Sequence, residues 1–337
     1  MLTRNIDAFF NFAKTCKPQN PTCAKAFYLV TPEGFSLATQ SAQDNAYMDL
    51  TKSVQIDLAF AQHRNLSHAM SKLMPAITFP GRAETPDAVF PNNVFATARH
   101  KKIILGHMRH PVRQAEAERS DMLAFFQHVL GYELIDLRKQ SGICELTGSL
   151  IIDRARNIAF CGLSERCDEA GAQAMFNAFG LKACLMFDLA PGEYHTNVVL
   201  TILASRGVII APGGFADVRV TNAIVEFYAP HAVMLSSQEK NAFAANAITL
   251  TDGTVWMSQI AADALSAANH EVLRQAGFDV HAVNLSEIEK AGGSLRCCVG
   301  EIFFWTTDVA KRESTGQIQI GFTPKAPHYT LTLGLSP

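Results

Sequence analysis

Apolar residues along this chain come in short strand-like bursts, set in pairs across polar turns, with stretches of helical period between the pairs. Ala26 to Val30 reads as a strand followed by a turn at Pro32-Glu33-Gly34. From Asn45 to Leu73 the residues Val54, Leu58, Ala61 and Leu66 recur at helical spacing. Phe90 to Ala98 and Lys101 to Gly106 predict two strands around Arg99-His100. Ser120 to Leu130 predicts a helix, with Ser120 as N-cap and Gly131 as stop. Leu150 to Asp153 and Asn157 to Cys161 predict a hairpin, and Asp168 to Phe179 a helix closed by Gly180. Val198 to Ser205 and Gly207 to Ile210 form another strand pair; Gln238 to Ala247 and Ser258 to Ala276 read as helices. Strands in pairs with a helix between pairs do not fit a doubly wound parallel sheet. The pattern suits several small mixed ββαβ units, although no sequence repeat stands out.

The 337 residues are 48% hydrophobic and 18% charged, which is a globular composition with room for a large core. A net charge of −2 offers no field for nucleic acid or an anionic membrane surface. No apolar run reaches the length of a membrane span, and Met1 to Asp7 lacks the basic-then-apolar layout of a secretory signal. The eight cysteines have neither a disulfide-framework spacing nor a CxxC pair. They predict reduced thiols and a cytoplasmic protein with no zinc site.

Several polar motifs sit where apolar strands begin or end. Gly292-Gly293-Ser294-Leu295-Arg296-Cys297-Cys298 brings glycines, a hydroxyl and an arginine up to a cysteine, a plausible loop for a nucleophilic thiol because a nearby cation favours thiolate. Most cysteines are packing residues, so the segment alone is weak. Tyr194-His195-Thr196-Asn197 offers a general acid or base, though a lone histidine is more often a hydrogen-bonded core or surface residue. Glu145, between apolar neighbours in Cys144-Glu145-Leu146-Thr147-Gly148-Ser149, needs a partner or a function if it is buried. Phe90-Pro91-Asn92-Asn93 is either an amide pair for a polar ligand or an Asn-rich turn. Arg166 is a candidate for bidentate binding of a carboxylate, or a solvated partner of Glu165 or Asp168. His107 and His110 are separated from any aligning helix by Pro111, and Gly213-Gly214 lacks the spacing of a phosphate loop.

Taken in order, Phe90 to Asn93, Glu145 to Ser149, Tyr194 to Asn197 and Gly292 to Cys297 resemble the guanidine-modifying enzyme superfamily of arginine deiminases, dimethylarginine hydrolases and amidinotransferases. Gly162 to Arg166 and Ala42 to Ala46 strengthen the likeness, which is greatest to the arginine-deiminase-related citrulline utilisation hydrolases. The resemblance implies an α/β fold, a five-bladed propeller (pentein) of ββαβ units with the site in a central channel, spanning residues 26–305 between extensions at 1–25 and 306–337. It implies Cys297 as nucleophile, His195 as proton shuttle, and Glu145 as the acid that orients His195 or the substrate. Asn93 and Asn197 would bind the substrate head group and Arg166 its α-carboxylate, with Asn92 a further substrate-binding candidate. Cys298 stands where many relatives have methionine, and Glu145-Leu146 departs from the usual Glu-Gly.

Deiminases place aspartates at the positions of Asn93 and Asn197, where they clamp a cationic guanidinium. Amides can instead exchange hydrogen bonds with a neutral urea group. The expected activity is therefore cysteine-dependent hydrolysis of a ureido amino acid, citrulline, to ornithine, ammonia and carbon dioxide, with no cofactor and no metal. Hydrolysis of arginine or a related guanidine is the alternative within enzymes. A catalytically inactive amino-acid binder is the alternative outside them. The expected partner is a small ureido or guanidino amino acid; homo-oligomerisation is left open.

Overall fold

In the computed structural model, which describes residues 1–304 and the backbone of Thr330–Thr332, the paired bursts close into hairpins and each hairpin gains a third strand. Phe95–Ala98 pairs antiparallel with Lys102–Leu105, which runs parallel to Glu133–Asp136. Leu150–Asp153, Ile158–Leu163 and Ala183–Asp188 repeat that order. So do Leu200–Leu203, Gly207–Ile210 and Ala232–Met234, and Ile248–Thr251, Thr254–Ser258 and Asp279–Val283. The fifth sheet draws on both halves of the chain. Gly300–Ile302 is the antiparallel partner of Ala26–Val30, which runs parallel to Ala76–Phe79, and Thr330–Thr332 extends that sheet beyond Ala76–Phe79.

A parallel third strand requires a crossover, and a helix supplies it in each unit. The crossovers are Ile56–Ser71, Ser120–Ala124 running into the π-turn Phe125–Val129, Glu169–Ala178, Val218–Tyr228, and the pair Gln259–Ala264 and Ala267–Gln275. Among the described residues the architecture is thus α/β, with five separate mixed sheets. Two hairpins turn through consecutive positive-φ residues, His100-Lys101 and Ala204-Ser205, the backbone hand that matches strand twist.

Several elements differ from expectation for identifiable reasons. The stretch 258–276 is two helices, because Ser266 caps Asn269 N–H and starts a new one after Leu265. The helix expected over 238–247 is only Ser237–Asn241, ended by Phe243 at φ +62°. The 56–71 helix buries Ala59, Gln62, His63, Leu66 and Met70, which leaves Leu58 outside at 41% exposure. The third strands at 133–136, 183–188, 232–234 and 279–283 were not read from the sequence, and neither was the 76–79 strand. They are short apolar runs that follow a helix with no second polar turn to mark them. Residues 1–25 contribute Leu2–Thr3, parallel to Cys184-Leu185, and the helix Ile6–Ala13, whose Phe9, Phe10 and Ala13 are buried. Trp305 and the alternating Ile318, Ile320 and Phe322 lie outside the described residues.

What positions the site is a recurring detail. Just before the first strand of four units the chain makes one short helical turn: Pro91–Asn93, Leu146–Ser149, Thr196–Val198 and Leu295–Cys298. The Leu146–Ser149 turn packs against both the Pro91–Asn93 and Thr196–Val198 turns, and Leu295–Cys298 packs against Pro91–Asn93. Candidate polar residues some 200 positions apart in sequence are brought together this way.

Candidate active site

Glu145 is fully buried and is the hub of the cluster. Its Oε2 accepts from His195 Nε2 at 2.8 Å, from Asn93 Nδ2 at 3.1 Å and from Arg166 Nη1 at 3.2 Å; its Oε1 accepts from the Arg109 backbone N–H at 3.2 Å. Burial alone would push this carboxyl up, but the Arg166 guanidinium, the bond to His195 and the charge of Arg113 more than offset it and hold Glu145 ionised, well below the usual carboxylate range. His195 is 3% exposed. Burial lowers its pKa, and the bond to Glu145 opposes that without reversing it, so the imidazole is held neutral. Gly148 makes room for the ring: a Cβ there would lie 2.7 Å from His195 Cε1.

Leu146, where the resemblance expects glycine, adopts φ +24°, a region side chains rarely enter. The departure from Glu-Gly therefore leaves local backbone strain beside the hub carboxylate.

Cys297 lies on the short helix Leu295–Cys298 and not on a loop, and is 4% exposed. Burial raises its thiol pKa, while a hydrogen bond from the Ser294 backbone, the amides of Asn246 and Asn197 and the charge of Arg296 pull it back. Arg296 itself is turned to the Val299 carbonyl and to Glu301, so it acts on the thiol only at a distance. Asn197 Nδ2 lies 3.7 Å from the sulfur and 3.4 Å from the Thr147 carbonyl. Cys298 is buried with its thiol pushed well above normal, and packs in the apolar cluster with Leu295 and Val299.

Cys297, His195, Asn92, Asn93 and Arg166 line one small cavity, together with Asp87, Phe90 and Arg113. Asn93 is held on both sides, donating to Glu145 and accepting from Arg113 Nη2 at 2.9 Å. Asn92 accepts Thr147 Oγ1 at its carbonyl, and its side-chain Nδ2 is buried without a partner among the described residues. Arg166 is already engaged: Nε donates to Asp44 at 2.7 Å, Nη2 to the Ser41 carbonyl at 2.9 Å and Nη1 to Glu145. Asp87 receives Ser41 Oγ on one oxygen and has its other oxygen buried without a partner among the described residues.

Sequence reading passed over Asp44, Asp87, Arg113 and Asn246. The first two fall inside or beside segments that had been singled out, whereas Arg113 follows Pro111 in a stretch with no apolar period. The two histidines set aside have ordinary partners: His107 Nδ1 meets the Gly142 carbonyl at 2.8 Å and His110 Nε2 meets Asp44 at 2.7 Å. Pro212–Gly214 is a turn, and all eight cysteines are free. No described helix is long and apolar enough to cross a membrane.

Residues 31–304 match the family described as N,N dimethylarginine dimethylhydrolase, eukaryotic. The chain is 27% identical over 297 residues to the N(G),N(G)-dimethylarginine dimethylaminohydrolase of Mycobacterium tuberculosis, covering 88% of this chain and 92% of that one. It is 22% identical over 284 residues to the uncharacterized protein YkgA of Bacillus subtilis, covering 84% and 93%. Among solved structures, the N-terminal domain of ArgZ, a cyanobacterial arginine dihydrolase, superposes with a TM-score of 0.72 at 19% identity, over 83% of this chain and 98% of that one. A dimethylarginine dimethylaminohydrolase adduct with 4-chloro-2-hydroxymethylpyridine superposes at 0.63 and 19%, over 83% and 100%. The expected superfamily is borne out, with the dimethylarginine hydrolases as the matching branch. This chain belongs to the N,N dimethylarginine dimethylhydrolase family and is a hydrolase of the amidinotransferase superfamily.

Proposed function

We propose that this protein cleaves a C–N bond in the guanidino or ureido group of a small amino acid, with Cys297 as nucleophile, His195 as proton shuttle and Glu145 as the group that orients His195, and that citrulline is its preferred substrate. The observation that carries the substrate choice is what faces the sulfur. The groups within reach of Cys297 Sγ are the amides of Asn197 and Asn246. The Glu145 carboxylate, which a guanidinium would need, is already taken by His195, Arg166 and Asn93. Burying an extra cation there without a carboxylate of its own costs several kcal/mol, whereas amides can both donate to and accept from a urea. The unpaired Asp87 oxygen and Asn92 amide are the groups left to hold the amino-acid end, with Arg166 available to an α-carboxylate that displaces Asp44.

The thiol and imidazole both rest neutral, so attack begins with proton transfer from Cys297 to His195 as sulfur bonds to the ureido carbon. The imidazolium returns that proton to the departing nitrogen, and neutral His195 then activates water against the thiocarbamoyl intermediate. Citrulline plus water gives ornithine, ammonia and carbon dioxide. We further propose that the five sheets stand as blades of a propeller spanning 26–305, with this cavity in its channel. The relatives named for dimethylarginine and arginine favour a second reading, hydrolysis of a guanidine.

Ammonia release from citrulline, arginine, dimethylarginine and agmatine separates the readings. Citrulline is expected to give the highest kcat/KM. Turnover of arginine or dimethylarginine with none of citrulline would establish the second. Cys297→Ala is expected to remove all activity with the fold intact, and appreciable turnover in that variant defeats both.

A further inference from the structure

Asn246 precedes the strand Ile248–Thr251 and is fully buried. Every polar atom of its side chain is spent on the site. One N–H points at Cys297 Sγ, with nitrogen and sulfur 3.3 Å apart; the amide nitrogen also donates to the Asn197 carbonyl at 3.0 Å. Its Oδ1 accepts the Cys297 backbone N–H at 3.3 Å. Its own carbonyl accepts the Arg296 N–H, and its N–H is fixed by the Phe243 carbonyl at 2.8 Å. Asn197, by contrast, approaches the sulfur only at 3.7 Å and divides its amide with the Thr147 carbonyl. The neighbouring Cys298 is fully buried, has no hydrogen bond at its sulfur among the described residues, and is absent from the lining of the cavity that Cys297 shares with His195.

We infer that Asn246 is the positioning residue that selects Cys297 over Cys298 and holds its sulfur ready for attack, by grasping the backbone and the sulfur of the same residue with one amide. This rests on Cys297 being the nucleophile. A hydrogen bond to sulfur is worth more to the thiolate than to the thiol. Asn246 therefore supplies in this buried place part of the stabilisation that Arg296, turned toward Glu301, does not. The backbone contact orients the residue; the sulfur contact favours its reactive form.

The two contacts can be separated. Asn246→Asp is isosteric and keeps the acceptor for the Cys297 N–H, but replaces the donor to sulfur with an oxygen. The readout is alkylation by iodoacetamide across pH, with occupancy at residues 297 and 298 resolved by peptide mass spectrometry. It requires no substrate. Relative to wild type, the variant is expected to keep its melting temperature within a few degrees. Its Cys297 alkylation rate near pH 8 should be about tenfold lower and its profile displaced about one unit to higher pH. A profile that coincides with wild type while turnover falls would reduce Asn246 to a backbone support and overturn the inference. If the acidic variant does not fold, Asn246→Ser and Asn246→Ala decide. Serine keeps an O–H donor and should alkylate several-fold faster than alanine, and equal rates refute the idea. Cys297→Ala, assayed in parallel, isolates the underlying reading: residual turnover there sinks the nucleophile assignment itself, whatever Asn246 does.

Discussion

Gly148 is where a single missing methyl group makes room for the imidazole of His195. With a Cβ, residue 148 would meet the three ring atoms Cε1, Nδ1 and Nε2 of His195 at 2.7 to 2.9 Å, and the imidazole would have to leave Glu145. Displacements near 1 Å cost about a hundredfold in rate. Gly148→Ala is accordingly expected to lower kcat/KM by about that factor or more with little loss of secondary structure, as steady-state kinetics beside circular dichroism would show. At this scale much was legible. Cys297, His195, Glu145, Asn92, Asn93 and Asn197 were each chosen from motifs, and they gather in and around one buried cavity. Asn246 is not marked by a motif, because Ala244-Ala245-Asn246-Ala247 carries no second polar residue. A signal was present all the same: Asn93-Val94-Phe95, Asn197-Val198-Val199 and Asn246-Ala247-Ile248 each lead an asparagine into a first strand.

Elements were legible where two polar turns bracket an apolar run and obscure where packing alone defines them. Leu150–Asp153 and Gly207–Ile210 came out residue for residue, while the strands Ile248–Thr251 and Thr254–Ser258 have no counterpart in the sequence reading, which places only Ser258, at the head of its alanine-rich sequel, and puts it in a helix. The helix Ile56–Ser71 shows a further effect of packing. It buries His63 at 3% exposure, with Nε2 lacking a partner among the described residues. Burial takes its pKa down to about 4 from 6.5. A folded pKa below the unfolded one means the unfolded chain binds the extra proton first. The stability contributed by neutral His63 is complete above pH 6.5 and drains away as pH falls toward 4, to a limit of about 3 kcal/mol. Melting temperature should therefore decline between pH 7 and pH 5, and His63→Gln should flatten that decline.

For the whole molecule the decisive seam is the sheet in which Gly300–Ile302 meets Ala26–Tyr28. Gly300 lies opposite Tyr28, and a Cβ there would fall 2.0 Å from the Tyr28 ring. That ring is fully buried and ties onward through its hydroxyl to the Phe95 carbonyl at 2.7 Å, so it has nowhere to retreat. Gly300→Ala should cost about 1–3 kcal/mol or more through overpacking, measurable as a fall of several degrees by calorimetry. The pairing of residues so far apart was not visible in the sequence: nothing in the short run after Cys298 says which earlier strand it will join.

That seam also sets an order of events during synthesis. Cys297 sits three residues before the strand that completes the sheet, and His195 and Glu145, proposed to act with it, leave the ribosome long before it. A nascent chain can fold its middle hairpins from local contacts, but contacts between residues near 28 and near 300 form only once translation is almost finished, and such distant pairings are the slow ones. Fragments released early, or clipped behind residue 295, carry the imidazole and the carboxylate without the thiol. With Cys297 as the proposed nucleophile, such fragments are expected to be inactive.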